Sequence, residues 1–193
     1  DGVAVVADSW WRAQKAVEAL AVEFDDGDGG GLDSDGVFNL LAEAIAGDDS
    51  FTYRDDGDIE AARSADAITV EALYEAPYLA HACMEPMNCT ALVDNGKVEI
   101  WMPNQAPIIV QFLAARAADV DMDDVTVHTT FLGGGFGRRV EGDLAVQAVT
   151  AALAFPGRAV KLLWSREQDI QHDMYRPAAM SRFVATLTLG GGR

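Results

Sequence analysis

The sequence predicts an α+β fold, and three observations support this fold class. Asn95-Gly96 separates two alternating apolar segments, residues 88–94 and 97–102, and predicts a β-hairpin because both turn positions need positive φ. Apolar residues then recur at helical spacing after Pro107 and after Gly142. Half of the 193 residues are hydrophobic, which is enough for a packed core. We therefore expect a globular chain with a mixed sheet, a hairpin and packed helices.

The first 24 residues predict a strand, a helix and a second strand. The first strand begins with Val3, Val5 and Val6, and Asp8 or Ser9 can cap the helix. The helix repeats its apolar residues at helical spacing, namely Trp10, Ala13, Val17 and Leu20.

Residues 25–66 are predicted to be an acidic, glycine-rich linker that contains one short helical segment, residues 37–46. A calcium loop is the alternative. It fails because aligning Asp33, Asp35 and Gly36 with the EF-hand places Gly31 first and Ala42 last, where acidic residues are needed.

Residues 67–193 are predicted to form a second domain that is truncated at its C-terminus. After a strand at 67–76 and the hairpin, Pro107 suits the first turn of a helix whose apolar face carries Ile108, Phe112 and Ala115. A strand then alternates through Val125, Val127, Thr129 and Phe131. Residues 142–155, 159–164, 165–174 and 181–189 predict helix, strand, helix and strand in turn.

Charge and composition exclude several classes of function. The formal net charge of −17 disfavours nucleic acid and anionic membranes as partners. No apolar stretch approaches the roughly 20 residues that cross a bilayer, and the first residues lack the features of a signal peptide. The two cysteines are too few for a disulfide framework.

A glycine-rich segment, "FLGGGFGRR" at 131–139, lies between a predicted strand and a predicted helix, a layout that favours anion binding. Both common phosphate fingerprints fail: G-x-G-x-x-G meets Arg138 at its last glycine, and the Walker pattern meets Phe-Gly-Arg-Arg instead of Gly-Lys-Ser/Thr. The alternative is a tight turn whose glycines only permit close packing. A third interpretation of the chain is a nucleotide-dependent oxidoreductase that uses this glycine-rich segment.

Four segments occur in a family-specific order: "YEAPYLAHACMEPMNCTA", "WMPNQAP", "FLGGGFGRR" and "YRPAA". In these segments the chain resembles the molybdenum-binding large subunit of the xanthine oxidase family. Its likeness is to the branch with isoquinoline 1-oxidoreductase β subunits and membrane-associated aldehyde dehydrogenases. Residues 1–24 resemble the end of the α/β hammerhead domain of that family, and residues 67–193 its first molybdopterin-binding domain.

The resemblance implies roles for individual residues. Phe136 would lie beside the metal with its backbone amide directed at a metal ligand, and Gln105 would hydrogen-bond an oxygen ligand of molybdenum. A residue that caps backbone N–H groups at a helix start is the other interpretation of Gln105. The remaining cofactor-binding candidates are Gly133, Gly134, Gly135, Gly137, Arg138 and Arg139.

Other polar residues have competing interpretations. Arg138 and Arg139 could contact a cofactor phosphate or pair with Glu141 or Asp143. The spacing of His81, Cys83 and Cys89 matches no familiar zinc site, so buried, unreactive cysteines are expected and no metal ligand is assigned. The resemblance places Glu85 of the "MEP" signature near the substrate side, but in a compact turn before Pro86 it is as easily a backbone acceptor as a catalytic base.

The resemblance implies part of a molybdenum hydroxylase that oxidises an aldehyde or an N-heterocycle with oxygen from water. The implied cofactor is molybdenum-molybdopterin cytosine dinucleotide, and the implied partners are a small 2Fe–2S subunit and a cytochrome c. The catalytic glutamate of the family lies beyond these residues, so the chain alone is expected to be inactive and to hold no cofactor tightly. A non-catalytic module that binds a dinucleotide or a partner is the alternative. A periplasmic and a cytoplasmic bacterial location both stay open.

Overall fold

The computed structural model describes residues 2–25, 27, 30–58, 61, 63 and 67–188. They divide into two compact units. The first contains Asp1–Phe24 and Ala80–Tyr175, and the second contains Asp25–Leu79 and Arg176–Arg193. The sequence-based division at residues 24 and 66 was made from composition and family resemblance, and it stays a prediction.

The first unit is built on a four-stranded mixed sheet. Its strands are β2 (Asn88–Asp94), β3 (Lys97–Met102), β4 (Val125–Thr129) and β5 (Val160–Leu163). They lie side by side in the order β4-β3-β2-β5. The predicted hairpin is confirmed, since β2 and β3 are antiparallel and Asn95 and Gly96 have φ of 49° and 76°. β3 and β4 are parallel, so the chain needs a crossover between them.

The helices that connect the strands are α3 (Pro107–Ala118), α4 (Asp143–Leu153) and the short α5 (Arg166–Gln171). α3 is the crossover from β3 to β4, and α4 leads from β4 towards β5. Alternate residues of β2 and β3 form the core with both helices. The fully buried members of this core include Cys89, Ala91, Ile100, Met102, Val110, Ala114, Leu144, Ala148 and Val149.

Two details of this unit correct the sequence-based predictions. The buried face of α3 is formed by Val110, Ala114 and Ala115, whereas Ile108 is 72% exposed and Phe112 is 46% exposed. Because α3 is apolar on several sides, its periodicity did not identify the face that meets the sheet. β4 ends at Thr129, and Phe131, placed in this strand by the sequence, is fully exposed.

The N-terminal segment forms α1 (Trp10–Glu18), with Ser9 as its N-cap. The two flanking strands predicted from the sequence are wrong for residues 2–7 and 21–25, which have no strand conformation. A strand needs a neighbour to pair its backbone groups, and neither segment pairs with a described strand.

The second unit contains α2 (Ser34–Ala46) and a two-stranded antiparallel sheet. Its strands, β1 (Ala67–Ala76) and β6 (Ala179–Thr188), are joined in the register Ala72↔Phe183. The helix predicted within the acidic segment and both strands are therefore confirmed. Across the described residues, none of the helices is long and apolar enough to cross a membrane.

Candidate functional site

The topology brings four loop segments to one end of the four-stranded sheet. β3, β4 and β5 end there, and β2, which is antiparallel to β3 and β5, begins there. The segments are residues 81–87, 103–105, 130–140 and 164–175, which we call the loop end of the sheet. The "MEP" signature, Gln105 and the glycine-rich segment 131–139 all lie in this region. In α/β sheets, ligands are typically bound beyond the carboxyl ends of strands.

The glycine loop, residues 133–137, has an unusual backbone. Gly134 and Gly137 have φ of 102° and 101°, and Phe136 between them has φ of 54°. A left-handed conformation at a residue with a large side chain costs roughly 1 to 3 kcal/mol and is typical of functional loops. The Phe136 side chain is 75% exposed, so its conformation is not explained by burial of the ring.

Glu85 fixes the start of the glycine loop. Its backbone N–H donates to the Gly133 carbonyl at 3.0 Å, and its carboxylate Oε2 accepts from the Gly133 N–H at 2.8 Å. The other carboxylate oxygen accepts from Asn88 at 2.8 Å. Glu85 therefore accepts from the backbone, which is one of the two roles that the sequence left open for this "MEP" residue.

Gln105 fixes the end of the same loop. Its backbone N–H donates to the Arg139 carbonyl at 2.9 Å, and its side-chain Oε1 accepts from the Gly137 N–H at 3.1 Å. Within the described chain, Gln105 Nε2 donates to no residue. The amide therefore caps a backbone N–H of the glycine loop, while α3 has no side-chain cap.

Arg139 joins three of the four segments from inside the protein. Its side chain is 0% exposed and donates to the Gly134 carbonyl at 2.8 Å through Nε. Its Nη2 donates to the carbonyl and to the carboxylate of Glu85, at 2.8 and 3.0 Å, and its Nη1 lies 3.5 Å from the Pro103 oxygen. Protein acceptors thus surround this guanidinium.

Arg138 is buried as well, with its side chain 1% exposed. It makes two parallel hydrogen bonds to the Asp143 carboxylate, at 2.9 and 2.8 Å, which is the pairing with Asp143 that the sequence offered as one alternative. Its Nε is 3.0 Å from Asp173 Oδ1, close enough for ionic attraction, although this N–H is not aligned for a hydrogen bond. Contact of either arginine with a cofactor phosphate stays a prediction.

The sequence model of the family described as "Molybdopterin cofactor-binding domain" matches residues 44–190. The chain belongs to this family. The match confirms the resemblance to molybdenum-binding large subunits of the xanthine oxidase family, and it makes this chain a relative of molybdopterin-dependent oxidoreductases.

Curated relatives carry the same resemblance. The membrane-bound aldehyde dehydrogenase (pyrroloquinoline-quinone) of Gluconacetobacter polyoxogenes is 31% identical over 93% of this chain and 23% of its own length. The isoquinoline 1-oxidoreductase subunit beta of Brevundimonas diminuta is 34% identical over 60% of this chain and 14% of its own. The chain thus spans less than a quarter of the length of either relative. Other relatives are named as molybdenum-binding subunits, such as PaoC of Escherichia coli.

Solved structures share the fold. Quinoline 2-oxidoreductase from Pseudomonas putida 86 superposes with a TM-score of 0.60 at 16% identity, over 68% of this chain and 17% of that chain. The aldehyde oxidoreductase from Desulfovibrio desulfuricans gives 0.60 at 18% identity, over 68% of this chain and 15% of that chain. These likenesses support the α+β fold with a mixed sheet and packed helices.

The loop end of this molybdopterin-binding domain fits an oxygen-rich cofactor. Among the described residues, the consecutive backbone N–H groups of Gly134, Gly135 and Phe136 donate to no acceptor. Gly135 is a buried residue, and a backbone N–H that is shielded from solvent is costly unless an acceptor reaches it. Successive free amides in a loop of this kind form a concave site for anions and metal-bound groups.

The glycines have separable structural reasons. A Cβ atom on Gly133 would lie 2.4 Å from Glu85 Cβ, and one on Gly135 would lie 2.6 Å from Gln105 Oε1. These two glycines allow the loop to pack against Glu85 and Gln105. Gly134 and Gly137 instead supply positive φ. Contact of the loop with the cofactor stays a prediction.

Both cysteines are buried and free, as the sequence predicted. Burial raises the pKa of the Cys83 thiol, and it raises the pKa of Cys89 to about 12. Cys83 donates weakly to the Gly135 carbonyl at 3.4 Å. In the part of the chain that the structure describes, no group of three His, Cys, Asp or Glu side chains is arranged to hold a metal ion.

The raised thiol pKa values predict resistance to alkylation. The thiolate is the reactive form, and a raised pKa keeps a thiol protonated as the pH rises towards 8. We expect iodoacetamide at pH 8 to label the denatured chain completely while the native chain stays unlabelled. Mass spectrometry of both samples measures this, and rapid labelling of native Cys83 would contradict its burial beneath the glycine loop.

Three residues at the loop end of the sheet were not assigned to the site from the sequence, namely Glu85, His81 and Asp173. His81 and Asp173 are 92 positions apart, and their side chains hydrogen-bond. No local sequence pattern links His81 with Asp173.

Proposed function

We propose that this chain forms one wall of the pocket for molybdenum-molybdopterin cytosine dinucleotide in a larger oxidoreductase. The enzyme oxidises an aldehyde or an N-heterocycle with oxygen from water. Its electrons pass to a small 2Fe–2S subunit, with a cytochrome c as a further acceptor. The observation that carries the proposal is the row of amides at Gly134, Gly135 and Phe136, beside Gln105, that donate to none of the described residues.

In this proposal the chain contributes donors whose direction is fixed before the ligand arrives. The three amides belong to a loop that Glu85 and Gln105 hold at its two ends. Gln105 Oε1 is occupied by Gly137, so Nε2 is the part of this side chain that donates to an oxygen of the cofactor. Fixed donors stabilise developing negative charge without reorganisation.

Phe136 has a different role. Its strained backbone places one free amide in the row, and its exposed ring covers an apolar part of the bound group and excludes water. When bound, the cofactor supplies a redox-active metal that takes two electrons from the substrate. The protein supplies position, hydrogen bonds and exclusion of water.

Two variants of Gln105 separate the two functions of its amide in the holoenzyme. Gln105→Glu keeps an oxygen that can accept from Gly137 but removes the Nε2 donor, and Gln105→Ala removes both. Because loss of one donor near a reacting centre typically costs about a hundredfold in turnover, we expect both variants to lower kcat by about that factor. Steady-state kinetics with aldehyde and N-heterocycle substrates, normalised to molybdenum content, measures this.

Gln14→Ala is the matched control, because Gln14 is half-buried on α1 and its side chain hydrogen-bonds Glu18 of the same helix. It should leave kcat unchanged. If Gln105→Glu behaves as wild type while Gln105→Ala is slow, Gln105 only holds the loop. A holoenzyme that binds the cofactor or a dinucleotide without oxidising either substrate class would favour the non-catalytic alternative.

A further inference from the structure

His81 is held in one orientation by Asp173. Its ring Nδ1 lies 3.0 and 3.1 Å from the two Asp173 carboxylate oxygens, and its backbone N–H also donates to Asp173 Oδ2. The Asp173 side chain is only 3% exposed, and its Oδ1 lies 3.0 Å from Arg138 Nε. Backbone, ring and guanidinium thus fix the carboxylate.

This contact determines which nitrogen of His81 faces the site. A carboxylate accepts hydrogen bonds and does not donate them, so Nδ1 carries the hydrogen of the neutral ring and Nε2 is left with a free lone pair. Nε2 lies 3.6 Å from the position of a Cβ on Gly137, and it hydrogen-bonds none of the described residues. A basic nitrogen is therefore fixed against the glycine loop.

The surroundings of His81 allow a proton to enter and leave. The side chain is 18% exposed, so the ring reaches solvent as well as the loop. A positive charge formed on the ring would lie beside the Asp173 carboxylate. The other charged groups that face this pair are Arg138, with its partner Asp143, and Asp169 of α5, which interacts with Asp173. Besides burial, the negative charge of Asp173 raises the pKa of the Cys83 thiol.

We propose that His81 is a proton-accepting residue of this pocket and that Asp173 is its positioning residue. The inference rests on the proposed function. Conversion of an aldehyde and water to a carboxylic acid releases two electrons and two protons. The electrons pass to the 2Fe–2S partner. One proton comes from water and is taken by a base other than His81.

The second proton derives from the aldehyde C–H bond. This bond breaks when the C–O bond to the water-derived oxygen forms, and its hydrogen remains as a proton once the two electrons have moved on. We assign this proton to His81, where an N–H bond forms at Nε2. It then passes to solvent through the exposed part of the ring, which restores the neutral side chain before the next turnover.

Nitrogen-15 NMR of the 193-residue chain tests the orientation without any cofactor. The chain has three histidines, and His81→Gln identifies the signals of His81. His128 is an internal comparison, because its Nε2 is the nitrogen that faces a carboxylate, at 3.1 Å from Glu99. We expect neutral His81 to carry its hydrogen on Nδ1. A hydrogen on Nε2 of His81 would overturn the proposal.

Kinetics of the holoenzyme test the proton transfer. Removal of a proton-transfer group typically costs 10² to 10⁴ in rate, so we expect His81→Gln to lower kcat per molybdenum at least about a hundredfold, with little change in KM. The variant should also lose one limb of the kcat–pH profile. His128→Gln is the control, and it should retain both the rate and the profile.

The outcomes distinguish the two proposals. A wild-type holoenzyme that oxidises neither aldehydes nor N-heterocycles contradicts the proposed function itself. If the wild type is active, an unchanged profile and rate in His81→Gln overturn only the role of His81. Loss of molybdenum with unchanged kcat per metal would also overturn it, because His81 would then be purely structural.

Discussion

Replacement of Arg139 by methionine should destabilise the first unit by about 3 to 5 kcal/mol, the typical result of removing one partner of a buried charged pair. The Arg139 side chain is fully buried and donates to Gly134, to Pro103 and twice to Glu85. Methionine fills a similar volume but cannot donate to the carbonyls of Gly134, Pro103 and Glu85. The Glu85 carboxylate, 32% exposed, would also lose its cationic neighbour.

Urea unfolding followed by tryptophan fluorescence measures the free energy of unfolding of the first unit. The chain has four tryptophans, at positions 10, 11, 101 and 164, and all lie in the first unit. The unfolding midpoint should fall for Arg139→Met and stay within experimental error for Arg116→Met, since Arg116 is exposed and lies over the Phe112 ring of its own helix. Equal midpoints for both variants would show that Arg139 does not hold the loops together.

Replacement of Gly133 by alanine should cost about 3 kcal/mol, at the upper end of the usual range for overpacking. The added Cβ would lie 2.4 Å from Glu85 Cβ and 3.4 Å from Glu85 Cα, so the contact is with the base of a side chain that cannot rotate away. Glu85 cannot shift freely either, because Gly133, Asn88 and Arg139 all bond it. Gly133 lies outside the left-handed region, so the effect comes from the contact alone.

Gly142→Ala is the matched control. A Cβ there would meet Leu113 Cδ1 at 2.6 Å, but this atom is the free end of a side chain that can adopt another rotamer. We expect a loss of about 1 kcal/mol or less for Gly142→Ala, against the larger loss for Gly133→Ala, by the same fluorescence measurement. Similar losses in both variants would mean that Glu85 yields as easily as Leu113.

Local sequence signals predicted most of the secondary structure. The Asn95-Gly96 turn identified the hairpin because its backbone geometry demands those residues. Pro107 marked the start of α3, and the strands at 67–76 and 160–163 matched their apolar runs. These predictions succeeded because each depends on the conformation of a few consecutive residues. The two strands expected around α1 were wrong, because a strand also depends on a partner elsewhere in the chain.

The candidate site could be predicted only in part. The order of its motifs pointed to the glycine loop and to Gln105, and the family match confirms the resemblance. The burial of Arg138 and Arg139 could not be foreseen, since adjacent arginines before a helix usually indicate a solvent-exposed or ligand-binding pair. Their partners Glu85 and Asp173 lie in loops that only the folded sheet brings close.

By itself, then, the sequence determined the α+β elements, the acidic character and the family of this protein. The tertiary structure decided which donors and acceptors at the glycine loop already have a partner among the described residues and which do not. Arg138, Arg139 and Gln105 Oε1 have protein partners, whereas the amides of Gly134, Gly135 and Phe136 have none among the described residues. The physical reason is that hydrogen bonding and burial depend on distances between segments, which a linear pattern does not contain.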